Sequence, residues 1–441
     1  MSERERGPDA EAIFRAAVDA VRPAALLSRL LRVKGDRLYV GESPHRLSPG
    51  RVLVAGGGKA SAAMAAAIED LLGARIAQGV VAVKDGHGVP TTRVRVVEAG
   101  HPIPDARSVA AAEEMIAIAH GLGRDDLLIV LLSGGGSALL TLPVEGVSLG
   151  DKRRVTDHLL RAGAAINELN AVRKHLSCVK GGRLAQAAAP GRVLSLLLSD
   201  VVGDRIDVIA SGPTAADPTT FADALAVLDR LDPGGELPAS VRAHLRAGTE
   251  GRHPETPKPG APGLGHVENV IVGHNFDALL GAKKEAERLG YRVHVLSPDI
   301  EGEAREVACD HARIAREIRE KGTPVVPPAC VLSGGETTVT VRGKGKGGRN
   351  TESALAFAQG VEGLEDVVGL FAGTDGTDGP TDAAGAWADG GTVARARAKG
   401  FEPQRFLEEN DSTMFFREVG GLMVIGPTRT NVMDVRIVLV G

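Results

Sequence analysis

Residues 51–61 read RVLVAGGGKAS. An apolar run long enough for one buried strand breaks into three glycines, and an alanine-rich helical pattern follows from Ala60. The arrangement repeats along the chain. Val80–Val83 ends in KDG, Val94–Val97 follows, Leu127–Leu132 runs into Ser133-Gly134-Gly135-Gly136-Ser137, and Val193–Leu198 runs into Asp200. Short apolar runs alternating with helical stretches predict an α/β fold, with parallel sheets covered by helices. In an open sheet of that kind the carboxyl ends of the strands border the ligand crevice.

At 441 residues the chain is too long for one ordinary core, so two domains are expected. Residues 248–266, GTEGRHPETPKPGAPGLGH, hold five glycines and four prolines, which argues against a regular element. A second α/β series starts at NVIVGHN (269–275). It continues through a helix at 276–289, the strand YRVHVL, a helix at 303–320 and two strands in ACVLSGG and ETTVTV. The predicted division is therefore a domain at 1–245, a linker at 246–266 and a second domain at 267–441.

Composition excludes several functions. With 52 basic and 56 acidic residues the net charge is −4, and aromatics are 3%, so neither an electrostatic nor a stacking surface for nucleic acid is expected. Cys178, Cys309 and Cys330 form no disulfide framework or zinc cluster, and the N-terminus has no apolar signal core. A cytoplasmic protein without membrane contact is expected, acting on small molecules. The sequence leaves open whether it forms a homo-oligomer.

The chemistry-bearing residues gather at the strand ends. Gly56, Gly57 and Gly58 let the backbone approach an anion, and Lys59 adds a full charge there. Ser133, Gly134, Gly135, Gly136 and Ser137 form a second such loop. Each also reads as a tight strand–helix turn. In LNAVRKHLSCVKGGRLAQ helical spacing aligns Arg173, Ser177 and Lys180, either as a solvated face or as a grip for a carboxylate or phosphate. Asp200, beyond an apolar strand, suits a hydrated Mg²⁺, although an Asp-capped turn needs no ligand. Glu336 lies in a turn, and a flexible, basic loop from Gly343 to Gly348 leads to Arg349, a residue type suited to phosphoryl oxygens. GTDGTDGPTD packs Asp375, Asp378 and Asp382 into eight residues, dense enough for a metal or a general base. The histidines show no zinc spacing, and no serine-hydrolase elbow occurs.

Nine motifs then stand in one order: GGGKAS, GHPIPD, LLSGGGSALL, LNAVRKHLSCVKGG, LSDVVGDRIDVIASGPT, ETPKP, LSGGETTVTVRGKGKGGRN, GTDGTDGPTDAAGA and GPTRTNVMD. From about Ala12 onward the chain resembles the glycerate kinase family that yields 2-phosphoglycerate, with its C-terminal MOFRL domain. The resemblance implies a Rossmann-like N-terminal domain, a mixed α/β C-terminal domain, a site in the cleft, and ATP and Mg²⁺ acting on D-glycerate. The family's functional lysine, arginine and aspartate fall on Lys59, Arg349 and Asp375. Two positions depart from the pattern: Arg429 stands where a glycine is expected and Thr413 where an aromatic is usual. The expected roles place phosphates on Lys59 and the glycine loops, Mg²⁺ near Asp200 and Asp378, and the acceptor hydroxyl on Asp375. Arg173, Lys180 and Glu336 would bind substrate. One rival is an NAD(P)H-dependent hydroxypyruvate reductase using GGGKAS as a dinucleotide loop, a reading weakened by the missing third glycine. A non-catalytic metabolite sensor is the other.

Overall fold

The computed structural model describes residues 3–441. Contacts divide the chain into two compact units, one of Leu26–Ser199 with Asp204–Val272, the other of Met1–Ala25, Asp200–Gly203 and Gly273–Gly441.

The first unit carries a small antiparallel sheet, β1 (Leu31–Lys34), β2 (Arg37–Val40) and β3 (Ser43–Arg46), which the sequence pattern did not announce. Its main sheet has β4 (Val52–Gly57), β5 (Ile76–Lys84), β6 (Val94–Ala99), β7 (Leu127–Leu132), β8 (Arg192–Leu198) and β9 (Val267–Gly273). The strand order is β6-β5-β4-β7-β8-β9, with β6 through β8 parallel. This is the Rossmann order, in which the chain turns back between the first and fourth strands, here β4 and β7. Both are buried along their whole length, as their unbroken apolar sequences require.

The second unit is built on a mixed sheet of β10 (Arg292–Val295), β11 (Ala329–Gly335), β12 (Val367–Gly373), β13 (Gly385–Asp389), β14 (Leu422–Met423) and β15 (Asp434–Val440). The order is β10-β11-β15-β12-β13-β14. The terminal strand β15 runs antiparallel to both neighbours, so Gly335, Asp434 and Gly373 fall in one row across the sheet. The carboxyl ends of β11 and β12 therefore meet at one edge.

The predicted domain limits need three corrections. The helix Glu3–Ala20 belongs to the second unit, because its apolar face, including Ile13, Phe14 and Ala17, is buried against that unit's helix Asn275–Arg288 and its sheet. The NVIVG strand is β9, the edge of the first sheet, rather than the start of the second domain. Residues 246–266 are no free linker. The helix Ala239–Thr249 runs into them, and the Pro-rich part is strapped to the first unit: Thr256 donates to Asp217 (3.0 Å), and Glu255 accepts from the Phe221 amide (2.8 Å). The segment ETTVTV forms no strand. Thr338 makes a single bridge to Glu303, since β11 already has β10 and β15 on its two sides.

Candidate functional site

In the first unit, both glycine loops lie at the carboxyl ends of β4 and β7, at the reversal point of the sheet. They are knit together. The Lys59 amide donates to the Gly134 carbonyl (2.7 Å), and the Ala60 amide donates to Ser133 Oγ (2.9 Å). A Cβ on Gly58, whose φ is 143°, would fall 2.3 Å from Ser133 Oγ. The glycine there is demanded by loop-to-loop packing, which accounts for it as a tight strand–helix turn. A Cβ on Gly135 would come within 2.9 Å of His101 Nε2 and 3.4 Å of Lys59 Cγ, which brings GHPIPD to the same place.

Beside these loops lies a pocket of about 560 Å³, with Gly135, Ser137, Arg173 and Lys180 in its lining. The helix carrying Arg173 stops at His175, so Lys180 reaches the pocket from the following turn rather than from a shared helical face. Nor is this a solvated stripe: Ser177 and Lys180 are fully buried. Lys180 Nζ donates to the Ser137 carbonyl (2.8 Å), and Ser137 Oγ shares a hydrogen bond with Ser211 (2.8 Å). Burial, with Lys152 and Arg173 adding repulsion, holds the Lys180 ammonium well below its ordinary pKa. Burial also pushes the Arg173 guanidinium down to about 10. Lys152, a pocket residue that no motif had marked, is buried and its Nζ has no hydrogen-bond partner. Burial pushes that ammonium down to about 7. Its only sequence signal is a lysine on the otherwise polar helix Leu149–Arg161, where exposure is the normal expectation.

In the second unit, the row Gly335–Asp434–Gly373 sets the site. Arg349 opens the helix Arg349–Gly360 and grips Asp434 through Nε (2.6 Å) and Nη2 (3.0 Å), while Nη1 reaches Glu336 (2.7 Å). Burial alone would lower the guanidinium pKa; Asp434 and Glu336 hold it well above the usual value instead. Asp434 is fully buried and also accepts from Asn350 Nδ2 (3.0 Å). Sequence reasoning gave Asp434 no role of its own; it stood only as the last residue of the GPTRTNVMD motif. Asp375, just past β12, accepts from the amide (2.9 Å) and hydroxyl (3.0 Å) of Thr377. A Cβ on Gly373 would meet Asp375 Oδ1 at 3.2 Å and Asp434 Oδ1 at 3.5 Å, so the two carboxylates flank one glycine.

The loop before Arg349 is pinned rather than flexible. Asn410 Oδ1 accepts from the amides of Arg342 (2.8 Å) and Gly343 (3.0 Å), and the Gly345 amide donates to the Glu409 carbonyl (2.8 Å). Thr413, the departure from an aromatic, is buried beside the start of the same helix, with its amide donating to the Lys346 carbonyl (3.1 Å).

The two acids expected to hold Mg²⁺ are each engaged by protein groups. Asp378 is buried, and its oxygens accept from the amides of Asn350 (2.9 Å) and Thr351 (2.8 Å), which makes it the anchor of that helix N-terminus. Burial pushes its carboxyl up to about 6 against the pull of those N–H groups. Asp200 accepts from Asn431 Nδ2 (3.1 Å). Among the described residues, no group of three or more His, Cys, Asp or Glu side chains is placed to hold a metal ion. Nor is any helix among them long and apolar enough to cross a membrane.

Residues 9–246 match a family described as a domain of unknown function, DUF4147, and residues 329–434 match the MOFRL family. The chain is 43% identical to the glycerate 2-kinase of Pyrococcus horikoshii, over 96% of its own length and 95% of that protein's. It belongs to the glycerate 2-kinase family. The crystal structure of glycerate kinase from Thermotoga maritima superposes with a TM-score of 0.85 at 40% identity, covering 99% of this chain and all of that one. A relative in Agrobacterium vitis, provisionally named a hydroxypyruvate reductase, is 46% identical over 89% of this chain and 88% of its own. The family assignment and the two-domain α/β fold thus agree with the reading of the nine motifs.

Proposed function

We propose that this chain transfers the γ-phosphoryl group of ATP to the C2 hydroxyl of D-glycerate, giving 2-phosphoglycerate and ADP. The observation that carries this reading is the pair of knitted glycine loops with Lys59 at the sheet reversal, in a chain whose other unit gathers Arg349, Asp375 and Asp434 at one sheet edge. Phosphoryl transfer asks for positioning and charge stabilisation more than for covalent chemistry. Lys59 and the loops would hold phosphate oxygens. Asp375, oriented by Thr377, would receive the acceptor's proton as its oxygen bonds to the γ-phosphorus and the bond to the β–γ bridging oxygen breaks. Arg349 has three of its five N–H groups committed to Asp434 and Glu336, and the remaining two would stabilise the transferring oxygens. Asp434 and Glu336 would act by fixing Arg349.

With Asp378 committed to its helix, Mg²⁺ would be held chiefly by nucleotide phosphates, as this ion commonly is. No step is assigned to it.

Phosphorus NMR of a reaction containing ATP, Mg²⁺ and D-glycerate tests the proposal, with NADH plus hydroxypyruvate run in parallel because of the name given to the Agrobacterium vitis relative. A 2-phosphoglycerate signal is expected. A 3-phosphoglycerate signal would keep the kinase and overturn the acceptor position. NADH consumption without phosphorylated product would establish the reductase reading.

A further inference from the structure

Lys152, Arg173 and Lys180 converge on the pocket beside Ser133–Ser137, and among the described residues no carboxylate is arranged to neutralise them. The single acid in the lining, Asp157, is already paired with Arg161 on its own helix (3.1 Å). Burying like charges together is unfavourable unless something compensates. Lys180 has one carbonyl partner, while Lys152 Nζ is buried with none. Burial lowers both ammonium groups first, and repulsion adds to it, from Lys152 and Arg173 on Lys180 and from Arg173 on Lys152. A ligand anion would satisfy all three.

The remainder of the pocket is not built for a small acid. Ile103 and Leu160 line it yet stay 66% and 56% exposed, and Pro102, Pro104 and Ala138 extend the apolar wall. A volume of about 560 Å³ lies in the range of sites for drug-sized ligands, far beyond the needs of a three-carbon acid. Lined by both cationic and apolar side chains, it adjoins the reversal point of a Rossmann-ordered sheet, where nucleotides bind in such folds.

We propose that this pocket is the nucleotide seat, with Lys152, Arg173 and Lys180 holding the phosphates of a nucleoside polyphosphate and Ile103 and Leu160 covering its base. The assignment rests on the kinase reading for its place in catalysis, but the pocket's ligand class can be tested without turnover.

The experiment is calorimetric titration of the full chain with ADP, with inorganic phosphate and D-glycerate as separate arms, alongside steady-state KM values. Two variants are compared: Lys152→Met, nearly isosteric and uncharged, and Leu160→Asp at the exposed rim, where folding is not at stake. ADP affinity should fall at least tenfold in each variant, with the KM for D-glycerate moving less than twofold. Phosphate alone should bind far more weakly than ADP, because it leaves the apolar wall unused. Unchanged ADP affinity in both variants would overturn the proposal, and Leu160→Asp decides alone if Lys152→Met fails to fold. A tenfold rise in the KM for D-glycerate with ADP binding intact would give the pocket to the acid and overturn it while the kinase stands. ADP binding that is lost in the variants of a chain making no phosphoglycerate would do the reverse: the pocket assignment holds and the glycerate reading falls.

Discussion

Arg349 cannot be treated as a side chain waiting for a phosphate. It is the close partner that lets Asp434 be buried as a charge; without it Asp434 would keep the Asn350 Nδ2 hydrogen bond and a longer ion pair to Arg436 (3.9 Å). Removing one member of such a pair costs roughly 3–5 kcal/mol. Arg349→Ala should therefore lower stability as well as activity, and Arg349→Lys is the cleaner probe. It keeps the charge but loses the two-bond grip and the spare donors. We expect Arg349→Lys to unfold near the wild-type urea midpoint while kcat drops about 100-fold, the scale of losing a transition-state charge partner. A kcat within threefold of wild type would remove Arg349 from the mechanism. Arg429 offers a stability test. It is exposed and sits at φ 62°, in the left-handed region that a glycine enters freely. An L-residue there loses about 1–2 kcal/mol, and glycine returns part of that gain as unfolded-chain entropy. Arg429→Gly should stabilise the protein by about 0.5–1 kcal/mol in urea titration, and a fall in stability would show that the guanidinium has a structural role. The departure from glycine was legible in the sequence, but its conformational consequence required the backbone.

Elements were readable where one sequence pattern fixes one environment. Apolar runs leading into glycine gave β4, β7 and β11, because a strand buried on both faces needs such a run. The pattern failed where tertiary packing decides. Arg173 and Lys180 read as one helical face, but the helix stops at His175 and both are drawn into the pocket. Histidine shows the same dependence on packing. His311, on the helix Ala304–Lys321, was one of several scattered histidines in the sequence. In the fold it ties that helix to β11: Nδ1–H donates to the Val307 carbonyl (2.7 Å), and Nε2 accepts from Ser333 Oγ (2.7 Å). Burial pushes its pKa down to about 4, with Arg436 adding repulsion and Asp310 opposing it. The unfolded chain, with an imidazole near 6.5, then binds more protons than the native one between pH 6.5 and 4. Stability from this group is present above that window and lost as pH falls through it, by roughly 3 kcal/mol in total. His311→Gln should flatten the slope of unfolding free energy against pH by up to one proton's worth between pH 6 and 4.5. A slope equal to that of wild type would mean that His311 is not the titrating group.

At the scale of the whole molecule, the chain visits its second unit twice before completing it, and this was the least legible feature. An amphipathic N-terminal helix announces an apolar face but not its partner. Here the partner lies more than 250 residues away. Gly281 leaves no room for a Cβ, which would fall 2.5 Å from Ala20 Cβ and 2.7 Å from the Ala16 carbonyl. The Tyr291 hydroxyl donates to Asp9 (2.7 Å), and Thr430 Oγ1 donates to the Val21 carbonyl (2.6 Å). Ile13, Phe14, Val18 and Val21 are buried. At about 1.5–3 kcal/mol for each such side chain, their burial contributes roughly 6–12 kcal/mol, comparable to the entire stability of an ordinary domain. A chain starting at Arg22 should therefore fail to fold its second unit, even though the MOFRL match and every catalytic candidate of that unit lie far downstream. Amide hydrogen exchange reads this directly: residues 273–441 should lose their slow-exchanging amides in the truncated chain. A synthetic peptide of residues 1–22, added in trans, should restore them, because the missing interaction is packing rather than connectivity. Full protection in the truncated chain without peptide would mean that β11, β12 and β15 hold their site together unaided, and that the helix merely covers them.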